Sequence, residues 1–234
     1  MKDNKDRDEV MAAVKEDGWA LEHADESLKK DKKIVMAAVK QDGSALDFAD
    51  ESLKKDKEIV MVAVKQFSPA LGYADESLKK DKEIVMVAVK QEGSNLYYAD
   101  ESLKKDKEIV MVAVKQQGEA LQYANESLKK NREIVLAAVK QDGYAIMHAD
   151  ESLQKDREFL LVVVKENGEA LKYADQLKLR HDKDNEDELL KKDKRIAMAA
   201  ISNLKKGRRR FRIDAGNYGG ELVVGFLILL QIDF

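Results

Sequence analysis

Apolar and polar positions along this chain fall into blocks that return every 25 residues. The clearest copy is Asp81 to Lys105, DKEIVMVAVKQEGSNLYYADESLKK. It opens on an acid and two charged residues, runs through six apolar residues from Ile84 to Val89, and breaks at Lys90-Gln91-Glu92-Gly93. Leu96, Ala99 and Leu103 then recur among polar neighbours. The opening residue stands at Asp6, Asp31, Asp56, Asp81, Asp106, Asn131 and Asp156, and a degraded copy opens at Asp193 after an insert of 12.

The first apolar run predicts a helix A of about ten residues, ~15 Å long. Asp or Asn at its start accepts hydrogen bonds from free backbone donors, and the acid two residues on suits the positive end of the helix dipole. A lysine in the last turn and a glycine able to take a left-handed cap mark its end. A buried strand is the rival, because short β-branched runs are ambiguous and a period near 25 also occurs in leucine-rich repeats. Paired alanines in mid-run (Ala12-Ala13, Ala37-Ala38, Ala137-Ala138) and the missing asparagine ladder favour the helix. The second half of the unit predicts a helix B, with Asp100 facing Lys104 and Glu101 facing Lys105 at i,i+4. Lys105 runs directly into Asp106, so B and the next A must pack together.

One unit cannot hide an A helix that is apolar nearly all round, and stacked copies can. The expected fold is therefore all-α, an α-solenoid of seven 25-residue two-helix repeats over residues 6–180. A charged insert follows at 181–192, then a degenerate capping repeat at 193–204 and a basic, then apolar, tail at 205–234. Pro69, the only proline, follows Ser68 where other copies hold glycine, a place that tolerates it.

Composition narrows the functional classes. Charged residues make up 37% of the chain yet the net charge is −3, so acids and bases are interleaved, and the array offers no basic stripe for phosphates. With no cysteine, disulfides, thiolate catalysis and cysteine zinc sites are excluded. The charged start MKDNKDRDEV has no apolar signal region, which implies a cytoplasmic location.

Candidate chemistry is sparse. The residue after the glycine varies among copies (Trp19, Ser44, Pro69, Ser94, Glu119, Tyr144 and Glu169), as does the residue three places later (Glu22, Asp47, Gly72, Tyr97, Gln122, Met147 and Lys172). This ridge is either unconstrained surface or a place where a protein partner is read, with Trp19, Tyr97 and Tyr144 as aromatic anchors. A neighbouring position is always aromatic (His23, Phe48, Tyr73, Tyr98, Tyr123, His148, Tyr173), as expected for rings stacked along the B helices. Asp182, Asp184, Glu186 and Glu188 alternate as in a calcium loop, but Asp187 stands where the glycine is needed and Asp193 where the glutamate is, so no metal is expected. The tail places Lys205, Lys206, Arg208, Arg209, Arg210 and Arg212 before the apolar run Leu222 to Leu230. That run is far short of the ~20 residues a membrane span needs. A folded-back strand or hairpin, the edge of a further domain, or an anchor at an anionic membrane surface remain open for it.

The order D-[KR]-E-[IV]-V-[ML]-x-A-V-K-Q-x-G-x-A-L-x-[YFH]-A-D-E-S-L-K-K, as at Asp56 to Lys80 and Asp106 to Lys130, resembles the DUF4116 family of uncharacterised tandem repeats. The resemblance runs from residue 6 to about 177 and implies no catalytic or binding residue. The expected role is a non-catalytic scaffold for protein–protein interaction, without cofactor or nucleic acid. A membrane-peripheral protein held by its tail is the alternative, and an enzyme is the weaker third reading.

Overall fold

The computed structural model describes residues 6–171 and 173. The chain divides into two compact units, Met1–Glu151 and Ser152–Phe234. The described residues contain helices and no β-strand.

In the first unit each repeat opens with a ten-residue helix. These are α1 (Arg7–Glu16), α2 (Lys32–Gln41), α3 (Lys57–Gln66), α4 (Lys82–Gln91), α5 (Lys107–Gln116) and α6 (Arg132–Gln141). Each starts where the sequence places it, because the opening Asp or Asn is its cap: Asp56 Oδ1 accepts from Glu58 N at 3.0 Å and Ile59 N at 3.3 Å. The strand alternative for these runs is thereby excluded.

Each long helix ends on one extended residue and is followed by a six-residue 3-10 helix. These are η1 (Gly18–His23), η2 (Gly43–Phe48), η3 (Ser68–Tyr73), η4 (Gly93–Tyr98), η5 (Gly118–Tyr123) and η6 (Gly143–His148). The expected single helix B is thus two pieces. In repeats two to six an extended alanine separates the 3-10 helix from a one-turn α-helix, as Ala99 (φ −67°, ψ 151°) separates η4 from Glu101–Lys104, whereas in the first repeat a turn takes that helix's place. Asp100 caps that turn, accepting from Ser102 N at 2.9 Å and Ser102 Oγ at 2.6 Å. The ion pairs follow: Lys104 meets Glu101 at i,i+3 (3.0 Å), while Asp100 faces Lys80 of the preceding repeat at 3.9 Å, in place of the expected i,i+4 pairs.

Stacking produces two layers. Each long helix packs on the long helices beside it, on its own 3-10 helix and on the preceding one, and the 3-10 helices pack on one another. The core between them is regular: Ile84, Val85, Ala88, Val89 and Leu96 are fully buried, as are their counterparts Ile109, Val110, Ala113, Val114 and Leu121. Burial of each such Ile or Leu contributes roughly 1.5–3 kcal/mol. The fold is an α-solenoid.

The glycine after each long helix has a different job from the one expected. It opens the 3-10 helix and needs no left-handed backbone; its bare α-carbon lies against a carbonyl of the next long helix. A Cβ on Gly18 would stand 2.7 Å from the Ala38 oxygen, on Gly118 2.5 Å from that of Ala138, and on Gly43 or Gly93 it would overlap the oxygens of Ala63 or Ala113. Glycine and, 20 residues later, alanine therefore form the close approach at each of these junctions. Polar bonds reinforce it. Asp100 N donates to Lys79 O at 3.0 Å, as do its equivalents Asp50, Asp75, Asn125 and Asp150 to Lys29, Lys54, Lys104 and Lys129. Gln41 Nε2 donates to Glu16 O while its Oε1 accepts from Gly18 N.

The second unit contains one further ten-residue helix, α7 (Arg157–Glu166), capped by Asp156, and the 3-10 turn η7 (Gly168–Ala170). Phe159, Leu160, Leu161, Val163 and Val164 are its buried positions. The insert 181–192, the degenerate repeat 193–204 and the tail 205–234 lie outside the described residues.

Candidate binding surface

The two layers give the array two unlike faces. The 3-10 face carries the residues singled out from sequence. Trp19 (49% exposed) follows Gly18 at the start of η1, Tyr97 (58%) lies late in η4, and Tyr144 (37%) follows Gly143 in η6. The 3-10 geometry turns these positions outward while Leu21, Leu96 and Ile146 fill the core. The three anchors belong to repeats one, four and six, and each is built into its own surroundings. Trp19 Nε1 donates to Asp42 Oδ2 (3.1 Å) and Ser44 Oγ (2.9 Å), and its ring meets Phe48 edge-on at 5.3 Å. Tyr97 meets Tyr98 and Tyr123 edge-on at 5.1 and 5.3 Å, with the Lys104 ammonium 6.0 Å from its centroid. Tyr144 meets His148 at 5.2 Å. The rings form separate edge-to-face clusters, a correction to the expected stacked ladder.

Charges on the array are engaged at its junctions. Asp56 uses one carboxylate oxygen for its own helix and the other for Lys32 of the preceding repeat at 2.7 Å, while Lys32 also reaches Glu58 at 2.9 Å. The arrangement recurs at Lys57 with Asp81 and Glu83 and at Lys82 with Asp106 and Glu108. The lysine's hydrogen bond holds Asp56 below its ordinary range. At Asp81 and Asp106 partial burial pushes upward, but the lysine and two backbone N–H groups together outweigh it. Lys57, bonded to Asp81 and Glu83, is pushed up to about 12. Asp50, Asp75 and Asp100 are lowered first by the hydroxyl of the serine two residues on. These shifts accompany caps and junctions rather than a cleft.

His148 is lowered by its burial. His23 and His148 stand in η1 and η6, five repeats apart, and are not brought together. Among the described residues no three His, Asp or Glu side chains are placed to hold a metal ion. No described helix is long and apolar enough to cross a membrane. Lys205, Lys206, Arg208, Arg209, Arg210 and Arg212, and the calcium-like acids from Asp182 to Glu188, lie outside the described residues.

The long-helix face carries what the sequence reading overlooked. Met11, Met36, Met61, Met86, Met111 and Leu136 are part-exposed in successive helices. Ala37, Val62, Val87, Val112 and Ala137 on the adjoining ridge are also part-exposed. An A helix read as apolar nearly all round concealed this row within the core. The available signal was the i,i+4,i+8 pattern Lys-x3-Met-x3-Lys, which sets each methionine between two charged residues on one ridge.

A family model described as a domain of unknown function, DUF4116, matches residues 6–54, 56–104, 81–129 and 131–180. No curated protein and no solved structure matches the chain.

Proposed function

The chain belongs to the DUF4116 family, and from that premise we propose that it is a non-catalytic repeat scaffold mediating protein–protein interaction. The observation that carries this reading is the division of labour within each repeat. Recurring Asp, Ser and Gln side chains and the lysine that starts each long helix are committed to caps and junctions, as in Asp56, Ser52, Gln41 and Lys32. The two positions that vary most from copy to copy are exposed or part-exposed, and they include the large rings of Trp19, Tyr97 and Tyr144. Repeat arrays of this kind recognise partners over an extended surface, and exposed aromatic side chains are the usual energetic anchors at such interfaces.

Proximity crosslinking of the full chain, followed by replacement of Trp19, Tyr97 and Tyr144 with alanine, tests the proposal. A specific set of crosslinked proteins is expected, with those held on the 3-10 face reduced at least about tenfold by the triple change. Failure of the intact chain to crosslink any protein above background would refute a scaffold.

A further inference from the structure

On the long-helix face, the ridge Lys32-Met36-Lys40 is repeated as Lys57-Met61-Lys65, Lys82-Met86-Lys90 and Lys107-Met111-Lys115. Core positions of the same helices are fully buried, so the part-exposed methionines are a surface row in addition to the core. Methionine is unbranched and polarizable, suited to an apolar surface that adapts to what lies on it. Between α1 and α2 the row becomes an open groove of about 860 Å³, floored by Met11, Met36 and Ala37, edged by Lys15 and Lys40 at the helix ends and by Lys32, Lys33 and the Lys32-bound Glu58 at the helix starts.

The two lysine rows beside the methionines differ. The row at the helix starts is neutralised, since Lys32, Lys57 and Lys82 each hold an aspartate and a glutamate of the following repeat at 2.7–2.9 Å. The row at the helix ends is not. Lys15, Lys40, Lys65 and Lys90 are exposed and form no ion pair with any described residue, whereas Lys115 acts on Glu133, which Lys107 holds. The negative helix termini favour these cations, yet their positive charge still faces outward, one per repeat along the apolar row.

We propose that this stripe docks an acidic amphipathic helix of a partner protein, laid along the array with apolar residues on the methionines and carboxylates on the helix-end lysines. Spacing supports the fit: packed helices lie ~8–10 Å apart, and one heptad of a helix rises ~10.5 Å. A helix along the stripe thus presents about one apolar turn and one acid to each successive repeat. Nucleic acid would match the lysines but would gain little from an apolar row, and stacking rings lie on the other face. The inference rests on the scaffold reading and specifies the face and the ligand class.

The test uses the full chain and a fluorescent amphipathic peptide of about three heptads with leucine on one stripe and glutamate beside it. A version with lysine for glutamate and a single-stranded oligonucleotide serve as competitors. The acidic peptide should bind, weaken with salt, and lose at least about tenfold in affinity in the triple variants K40E/K65E/K90E and M61Q/M86Q/M111Q, each checked for unchanged circular dichroism. It should be unaffected by W19A/Y97A/Y144A. Acetylation of the unaltered chain supplies a readout free of folding effects, with Lys40, Lys65 and Lys90 protected by the bound peptide and Lys105, at the end of the one-turn helix Glu101–Lys104, less so. Equal binding of acidic and basic peptides, tighter binding of the oligonucleotide, or no protection of those lysines would overturn the inference. Crosslinks confined to the 3-10 face would also overturn it while leaving the scaffold reading intact.

Discussion

At the scale of single residues, junctions are set by whether a Cβ is present. Gly93→Ala drives a methyl group into the Ala113 carbonyl, and overpacking of this kind costs roughly 1–3 kcal/mol; urea denaturation should show the loss. The third junction shows how the fold accommodates the larger residue. Ser68 replaces glycine there, and it and Asn95 are the two buried polar side chains among the described residues. Asn95 occupies a position held by alanine in the other repeats (Ala20, Ala45, Ala70, Ala120, Ala145 and Ala170), and its Nδ2 donates to Ala88 O at 3.2 Å, the carbonyl 20 residues after Ser68. Gln91 correspondingly reaches back to Val64 O, 27 residues away, where Gln41 and Gln116 span 25. We read Ser68 as a wedge and Asn95 as its filler. A double-mutant cycle should therefore show non-additive effects: Ser68→Gly and Asn95→Ala together restore the common junction and are milder than the sum of the singles, by ~0.5–3 kcal/mol. Acid acts at the caps. Asp56, Asp81 and Asp106 have lowered folded-state pKa values, so their stabilising contribution is complete above the ordinary carboxylate range. It is lost as pH falls below about 4, and Asp→Asn at the three positions should flatten the fall in melting temperature, as Asn131 already caps without titrating.

At the scale of elements, the long helices were legible and the second half of the repeat was only partly so. Apolar runs capped by Asp or Asn returned α2 to α6 with the expected length, because cap, buried face and stop all agreed. Pro69 likewise sits at the start of η3, where a proline ring is tolerated. Helix B failed for an identifiable reason. Leu96, Ala99 and Leu103 are all buried and spaced as on one helix, but Asp100 and Ser102 form a cap of their own and stop the chain at Ala99. Asp-x-Ser in the middle of a presumed helix was the overlooked signal. The glycine's role was equally out of reach, since the atom it makes room for lies 20 residues away. A peptide of residues 93–105 should consequently show no helical circular dichroism, because six 3-10 residues and one α-turn cannot offset the cost of nucleation without the long-helix layer. The methionine row was hidden for the opposite reason: sequence distinguishes apolar from polar, whereas the number of layers decides whether an apolar side chain is covered.

At the scale of the whole molecule, near-identical repeats in the first unit mean near-identical junctions, so stability there is close to a sum over units and their interfaces. The main packing within that unit is between elements of one repeat or of adjacent repeats, the low-contact-order case in which folding is fast. Successive junctions include one main-chain hydrogen bond each, from Asp50, Asp75, Asp100, Asn125 or Asp150 to the lysine 21 residues earlier, and this has a mechanical consequence. The first unit, held at its two ends and stretched, loads these links in series, with no strand pairing among the described residues to share the tension. Extension in a single-molecule trap should proceed at a nearly constant low force, in increments that are multiples of one released repeat, ~90 Å of contour at ~3.5 Å per residue, and should retrace itself on relaxation as a spring would.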